Sequence, residues 1–333
     1  MKSADGLENV TSEDRLKGAI WGQFVGDAAA LGTHWIYDLD DLEKLYPEGV
    51  NGFEAPKEDH YHFGKAPGDQ THYGDGALVL LESIAKVGKF DARAFGRSFV
   101  ESFRPGFYAG YFDMATKGTL ENFTMFVETR PDADFDFQQG ADDDQLAGAS
   151  RLGALVVRYW NNPDLLSVVE QATRVCQNNE HAVAYMKFNV LLLSELLNKN
   201  DVQTALAHAT EKIAMFEPKL GPDICLQVHQ ASNLVSKEVT DATLAFGQSC
   251  PLPKSFPSSI HALLKHSDNF EAAVLAILRA GGDNAGRAAM VGGWLGAHLG
   301  IDAIPEPWRT RLSCGHRISV AVEKILADRM HRC

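Results

Sequence analysis

Two short segments each combine a threonine, a histidine and an aromatic residue with a nearby Gly-Asp pair. The first, "GDAAALGTHWIYD", spans residues 26–38, and the second, "GDQTHYGDGALVLLES", spans residues 68–83. A histidine titrates near neutral pH, so it can serve as a general base, above all beside a carboxylate. We therefore take His34, His72 and Asp75 as the candidate catalytic residues.

Two aspartates directly precede segments with helical apolar spacing. Asp75 is followed by "GALVLLES", and Asp283 is followed by "NAGRAAMVGGWLG". The N-terminus of a helix presents free N–H groups and can hold a phosphate. Carboxylates from several helix starts can also converge on a hard cation such as magnesium. The simpler alternative is that each aspartate only caps its helix, which is worth about 1 kcal/mol.

The spacing within the two segments indicates shared helix faces. His72 and Asp75 are three residues apart, and Asp27 and His34 are seven apart, so each pair would lie on one face of a helix. The alternative is that both histidines are ordinary core residues with backbone partners. In that case the acidic run 142–144, near Arg151, would be the place to look for a site.

Composition excludes several classes of function. The chain has 333 residues, of which 45% are hydrophobic, and 44 acidic against 31 basic residues give a net charge of −13. Nucleic-acid binding requires a basic surface, and an anionic membrane would repel this charge. We expect neither nucleic acid nor membrane as a partner.

The distribution of apolar residues and cysteines predicts a cytoplasmic protein. No apolar run approaches the roughly 18 residues of a membrane span, and the first residues, "MKSADGLENVTSEDRLKG", carry no apolar signal core. The five cysteines are scattered without a C-x-x-C pair, as expected for reduced thiols.

Helical periodicity dominates the chain, whereas alternating strand patterns and hairpin signals do not occur over any length. Residues 47–75 and 104–144 look irregular, and the first of these loops carries His60, Tyr61 and His62. The predicted helices are 13–31, 76–87, 146–160, 164–177, 180–198, 201–214, 223–238, 240–246, 257–266, 269–280, 284–299 and 316–329. We predict an all-α fold: a flexible N-terminus at 1–12 and a single compact many-helix domain over 13–333.

Small residues recur within the first predicted helix. Gly18, Gly22 and Gly26 are four residues apart, so they line one face and allow a second helix to approach closely. The segment 284–299 is similarly rich in small residues.

Several segments together resemble the ADP-ribosylglycohydrolase family. "GAIWGQFVGDAAALG" is similar to its first helix, "GYFDMATKGTLENF" to a Gly-Tyr turn, and "GASRLGALV" to an arginine-bearing helix. The segment 270–308, "FEAAVLAILRAGGDNAGRAAMVGGWLGAHLGIDAIPEPW", resembles the C-terminal signature almost throughout. The match covers roughly residues 15–312 and implies the family's all-α bundle.

The resemblance also implies a chemistry and a set of site residues. Family members use two magnesium ions to hydrolyse the bond between the anomeric carbon of ADP-ribose and a leaving group. The implied partner is thus a small ribosyl ligand or an ADP-ribosylated protein. The resemblance assigns substrate binding to eight positions: Asp27, Tyr73, Gly110, Tyr111, Arg151, His181, Gly282 and Asn284. It places metal binding at Thr71 and Asp283, and Asp75, directly after the first motif, is the third metal candidate.

The chain departs from the family at the metal positions themselves. The family's Thr-Asp-Asp-Thr falls on residues 71–74, its Asp-Thr-Asp-Thr falls on residues 283–286, and its N-terminal glutamate falls on His34. Only Thr71 and Asp283 keep the family residue, although Asp75 follows at once. Two alternatives remain. One is a single softer ion, such as zinc or manganese, bound by His34, His72 and Asp75, and the other is no metal at all.

The altered motifs "THWIYD", "THYGD" and "GGDN" resemble the branch of the family that contains the J-type crystallins of jellyfish lens. We favour a divergent hydrolase that cleaves an N- or O-glycosidic bond of an ADP-ribosyl or other ribosyl compound, with Tyr61, Phe63 or Tyr73 stacking on a base. The alternative is a catalytically silent, crystallin-like structural or nucleotide-binding protein.

Overall fold

The computed structural model describes residues 9–330, and helices account for most of them. Within this range there are sixteen α-helices, two short 3-10 turns and three isolated β-bridges, and no strand. The helices are α1 Ser12–Ala30, α2 Leu39–Leu45, α3 His72–Val87, α4 Ala92–Ser102, α5 Met114–Thr129, α6 Gly153–Tyr159, α7 Leu165–Cys176, α8 Glu180–Leu197, α9 Val202–Phe216, α10 Gly221–Asn233, α11 Val239–Phe246, α12 Leu252–Lys265, α13 Phe270–Arg279, α14 Asn284–Leu299, α15 Glu306–Thr310 and α16 Gly315–Met330. The predicted all-α fold is confirmed.

Helix α14 is the centre of the bundle, because all of its residues are buried. Helix α1 packs along it with glycine facing glycine. A Cβ added at Gly18 would overlap the carbonyl of Gly296, and one added at Gly22 would overlap the carbonyl of Gly292. Residue numbers along α1 increase from 18 to 22 while those of the facing residues on α14 decrease from 296 to 292. The two helices therefore run antiparallel. The end of α1 therefore lies beside the start of α14.

One hydrophobic cluster surrounds this pair and includes residues from nearly every helix. The buried Arg15 donates to the backbone carbonyls of Ala297 and His298 in the last turn of α14. A guanidinium at the C-terminal end of a helix satisfies carbonyls that have no partner within that helix. That the chain forms a single domain remains a prediction. The flexible N-terminus also remains a prediction, because residues 1–8 lie outside the described range.

The structure corrects several predicted elements. The interval 104–144 contains helix α5, whose buried residues form a stripe of only four positions, which explains its weak pattern. Helices α2 and α4 were also not predicted. The predicted helix 146–160 is a 3-10 turn, Leu146–Arg151, followed by α6. Helix α12 begins at Leu252 and contains Pro257.

The predicted N-cap is wrong at Asp75, and at Asp283 the position is right but the capping hydrogen bond is absent. Helix α3 begins at His72, and its N-cap is Thr71, whose hydroxyl accepts from the N–H of Tyr73. Asp75 therefore lies inside the first turn. Asp283 does occupy the N-cap position of α14, but its side chain makes no capping hydrogen bond. Both carboxylates are thus available for other contacts.

No helix among residues 9–330 is long and apolar enough to cross a membrane.

The glycine contact leads to a prediction about stability. Gly22→Ala should lower the free energy of unfolding by about 3 kcal/mol or more, because its methyl group would displace a backbone carbonyl that cannot rotate away. Gly293→Ala is the matched control, since its Cβ would lie 3.5 Å from the Ala19 carbonyl oxygen, an ordinary contact. The control should be neutral or stabilise by up to about 1 kcal/mol through helix propensity. Equal unfolding curves for the two variants, measured by chemical denaturation, would contradict this packing.

Candidate functional site

Three histidine rings meet where the end of α1 approaches the start of α3. His34 lies in the turn after α1, His62 in the loop between α2 and α3, and His72 is the first residue of α3. Their ring centroids are 5.5–5.9 Å apart, and one ring nitrogen from each lies within 4.8 Å of the others. All three side chains are buried. We call these residues the histidine cluster.

The loop that carries His62 is tied to the end of α1 by hydrogen bonds. The His60 ring bonds the carbonyl of His34 at 2.7 Å, and the Phe53 N–H donates to the carbonyl of Ala29 at 3.0 Å. The His60 ring also accepts from the N–H of His62 at 3.0 Å. These contacts hold His62 against the turn that carries His34.

The imidazoles of the cluster lack the hydrogen bonds that buried polar groups normally make. Within the described residues, neither ring nitrogen of His62 or His72 has a partner, nor does Nε2 of His34. Nδ1 of His34 accepts a long bond from the N–H of Ala285, 3.4 Å. Burial, with a smaller contribution from neighbouring positive charge, lowers the pKa of His62 to about 2 and that of His34 and His72 well below the usual value. The rings are therefore neutral.

Two buried carboxylates flank the cluster. Oδ1 of Asp283 lies 3.6 Å from Nδ1 of His34, and Oδ2 of Asp113 lies 3.6 Å from Nε2 of His72. Neither of these oxygens accepts a hydrogen bond. The second oxygen of each is used: Tyr73 donates its hydroxyl to Asp283, 3.2 Å, and Asp113 caps α5. Burial raises the pKa of Asp283 to about 6, although Cys250, Arg287 and Tyr73 act against the shift.

Aromatic rings separate the cluster from solvent. Trp35 stacks on His34 with centroids 4.2 Å apart, and it meets Tyr61 and Tyr111 edge to face at 5.1 and 4.9 Å. Tyr61 is 61% exposed, so this group forms the outer wall of the site. These rings border a cavity of about 280 Å³ that is lined by Trp35, Tyr37, Tyr61, Tyr111, Asp113, Met114, Gln145 and Cys250.

Trp35 adopts a left-handed backbone conformation, with φ 63°, that bulky side chains seldom accept. Its N–H donates to the carbonyl of Gly282, 2.8 Å, and the N–H of Gly282 returns a bond to Ile36, 2.7 Å. Its indole N–H points to the sulfur of Cys250, 3.3 Å. Strained residues of this kind cluster at functional sites.

Asp27 couples α1 to the start of α3. The N–H and hydroxyl of Thr71 both donate to its carboxylate, at 2.7 and 2.6 Å. Burial raises the pKa of Asp27 to about 7. The negative charge of Asp75 raises this pKa slightly further, whereas the two hydrogen bonds from Thr71 lower it.

Asp75 lies apart from the histidine cluster, contrary to the predicted catalytic set. Its Oδ2 accepts from Nζ of Lys65, 2.6 Å, and from the hydroxyl of Tyr108, 2.7 Å, and its side chain is 27% exposed. The expected shared face of Asp27 and His34 is also wrong, because α1 ends at Ala30.

The remaining predicted residues divide into those near the site and those elsewhere. Tyr111 borders the cavity with Gly110 next to it, and Gly282 holds Trp35. Tyr73 is fully buried, and Asn284 bonds the backbone and hydroxyl of Thr33.

Two of these residues lie outside the cavity. Arg151 packs its guanidinium over Phe99 and does not line the cavity. His181 is exposed at the start of α8, where Asn179 caps the helix. In the acidic run, Asp142 is exposed and bonds Asn179, whereas Asp143 is buried and bonds the backbone of Gln145.

The sequence analysis missed three contributors. Trp35 lies in the first quoted segment and His62 in the loop 47–75, but neither had an assigned role, and Asp113 was placed in an irregular stretch. The Asp113–Thr116 spacing before α5 is an N-cap signature that would have shown the helix start.

Two magnesium ions do not fit this donor set. Magnesium requires oxygen ligands in octahedral geometry, whereas the cluster offers imidazole nitrogen. The two residues that match the family motifs also make other hydrogen bonds: the Thr71 hydroxyl donates to Asp27, and Oδ2 of Asp283 accepts from Tyr73.

Comparison with known proteins decides the family. The family model for ADP-ribosylglycohydrolase matches residues 8–333. The chain belongs to the ADP-ribosylglycohydrolase family. Two crystallins of Tripedalia cystophora are similar to this member over 327 residues, which is 94% of the chain and 97% of theirs: Crystallin J1A with 26% identity and Crystallin J1B with 24%.

A solved structure supports the fold of this family member. It is titled "ADP-ribosylglycohydrolase-related protein complex", and it aligns with a TM-score of 0.67 and 23% identity. The alignment covers 96% of this chain and 99% of that chain. At this identity the likeness concerns the fold alone.

The buried Asp27 carboxyl predicts a pH dependence of stability. Below about pH 4 it is protonated in both the folded and the unfolded chain. As the pH rises toward 7 the unfolded chain releases this proton first, so the free energy of unfolding falls. Between about pH 5 and pH 8, the melting temperature of the wild type should fall more than that of Asp27→Asn. Parallel melting curves across this range would show that Asp27 ionises normally.

Proposed function

We propose that this protein hydrolyses an N- or O-glycosidic bond of an ADP-ribosyl or other ribosyl compound at the cavity beside the histidine cluster. One observation carries the proposal: Asp113 and Asp283 each direct a buried, unpartnered carboxylate oxygen toward a neutral imidazole. A buried polar group without a partner costs about 1–3 kcal/mol, and several lie together here. Groups of this kind are kept where they act on a ligand.

The reaction follows from these groups. The bond between the anomeric carbon and the leaving nitrogen or oxygen breaks, and the oxygen of a water molecule bonds to that carbon. A carboxylate–imidazole pair accepts one proton of the water, and the leaving group takes up a proton. Nearby carboxylates stabilise the positive charge that develops on the sugar.

The dimensions of the cavity favour a ribosyl or nucleoside group as the enclosed part of the ligand. Its volume of about 280 Å³ lies just below the usual range for small-molecule sites. Trp35 and Tyr111 offer rings on which a base or sugar can pack. A diphosphate, if present, would extend toward the surface past the exposed Tyr61.

A second candidate is a catalytically silent structural or nucleotide-binding protein. It is favoured by the loss of the family's carboxylates at positions 72, 73 and 285 and by the two similar crystallins.

Asp113→Asn tests the hydrolase, because asparagine can still cap α5 while the charge beside His72 is lost. We expect release of ADP-ribose or ribose from the best substrate to fall by at least about 100-fold. Substrates would include ADP-ribosylated protein and nucleosides, with products measured by chromatography, with and without divalent ions. Asp142→Asn, an exposed carboxylate nearby, should retain wild-type rates.

The same assay separates the two candidates. No product from the wild type, together with a rise in melting temperature on addition of ADP-ribose, would favour nucleotide binding without catalysis. Absence of both effects would favour a structural role.

A further inference from the structure

We propose that His34, His62 and His72 form a binding site for a single zinc-type divalent ion, in place of the family's magnesium pair. The three side chains come from separate parts of the chain, and one ring nitrogen of each lies within 4.8 Å of the other two. Three imidazole nitrogens would thus take the place of the carboxylate oxygens that hold magnesium in the family.

The choice of ion follows from the ligands. Imidazole nitrogen suits zinc and related transition metals, whereas magnesium and calcium require oxygen. Three histidines with one open position are a known arrangement for catalytic zinc. The group of mutually close ligand atoms consists of the three imidazoles alone. Asp75 is held elsewhere by Lys65 and Tyr108.

The state of the rings favours binding. A metal requires an imidazole with a free lone pair, and these three rings are buried away from competing water. Five of the six ring nitrogens have no hydrogen-bond partner in the described part of the chain. An ion would satisfy one nitrogen on each ring and so remove part of the cost of burying them.

The observed separations are close to those of a bound site. Tetrahedral coordination at about 2.0–2.1 Å places two ligand nitrogens about 3.3 Å apart. The present limit of 4.8 Å closes to this value if each ring moves by about 1 Å. His62 can make such a movement, since it lies in a loop and neither of its ring nitrogens is held.

The flanking carboxylates supply the expected outer contacts. Histidines that bind metals usually donate their second ring N–H to a carboxylate, which fixes the ring. Asp113 stands beside Nε2 of His72 at 3.6 Å and fits this role. Asp283 lies 3.6 Å from Nδ1 of His34, and that nitrogen would exchange its long bond from the Ala285 N–H for a proton directed at Asp283. The fourth metal position would hold water, whose pKa a zinc ion lowers toward neutrality.

This inference is independent of hydrolysis, and metal binding alone tests it. Metal-stripped full-length protein should bind one equivalent of Zn²⁺ by calorimetry and melt at a higher temperature with it. Co²⁺ should give the visible absorption of a tetrahedral complex. Mg²⁺ at the same concentrations should produce neither effect.

Three variants locate the site. His62→Gln should bind Zn²⁺ at least about tenfold more weakly, and it should fold because the His62 ring makes no hydrogen bond. Asp113→Asn keeps all three histidines and should weaken binding about 10- to 100-fold. His261→Gln is the control: its ring is also buried but bonds the carbonyl of Leu234, away from the cluster, so wild-type affinity is expected.

Equal Zn²⁺ affinity in wild type and His62→Gln, or no binding by the wild type, would overturn the proposal. Zinc binding without any glycoside cleavage would support the metal site and contradict the proposed hydrolysis. Cleavage by metal-free protein that binds no zinc would support the proposed hydrolysis and contradict the metal site.

Discussion

The close approach of α1 and α14 is the constraint on which the rest of the structure depends. Glycines at 18, 22, 292 and 296 let two backbones touch where side chains would hold them about 8–10 Å apart. Since the helices are antiparallel, the turn after α1 meets the first turn of α14. His34 therefore faces Asp283 across 3.6 Å, although they are far apart in sequence. The site exists because these two helices cannot slide relative to each other without a clash.

The groups of the site also lower the free energy of unfolding. Unpartnered imidazoles and carboxylate oxygens are buried together, and Trp35 is held in a conformation that costs of order 1–3 kcal/mol. This site lies against α14, which is buried along its whole length. Local instability inside a well-packed frame is the usual arrangement at sites that act on ligands.

The sequence predicts much of the frame and part of the site. Helices with regular apolar spacing, such as 284–299, agree with the structure, and the small-residue faces of α1 and α14 indicated close packing. His34 and His72 could be found because each stands in a Thr-His-aromatic triplet near a Gly-Asp pair. His62 could not, because the path of its loop is set by tertiary bonds, such as that of His60 to the carbonyl of His34. Asp113 was missed because its helix buries too few residues to give a clear pattern.

The glycine contact has a consequence for how this protein can change over evolutionary time. This contact joins the backbone of α1 to the backbone of α14, so it does not depend on which side chains project from the ends of the two helices. Residues 34, 72 and 283 can be exchanged while the frame that positions them stays in place. Such a scaffold can exchange oxygen ligands for nitrogen ligands, or abandon catalysis altogether, without having to find a new fold.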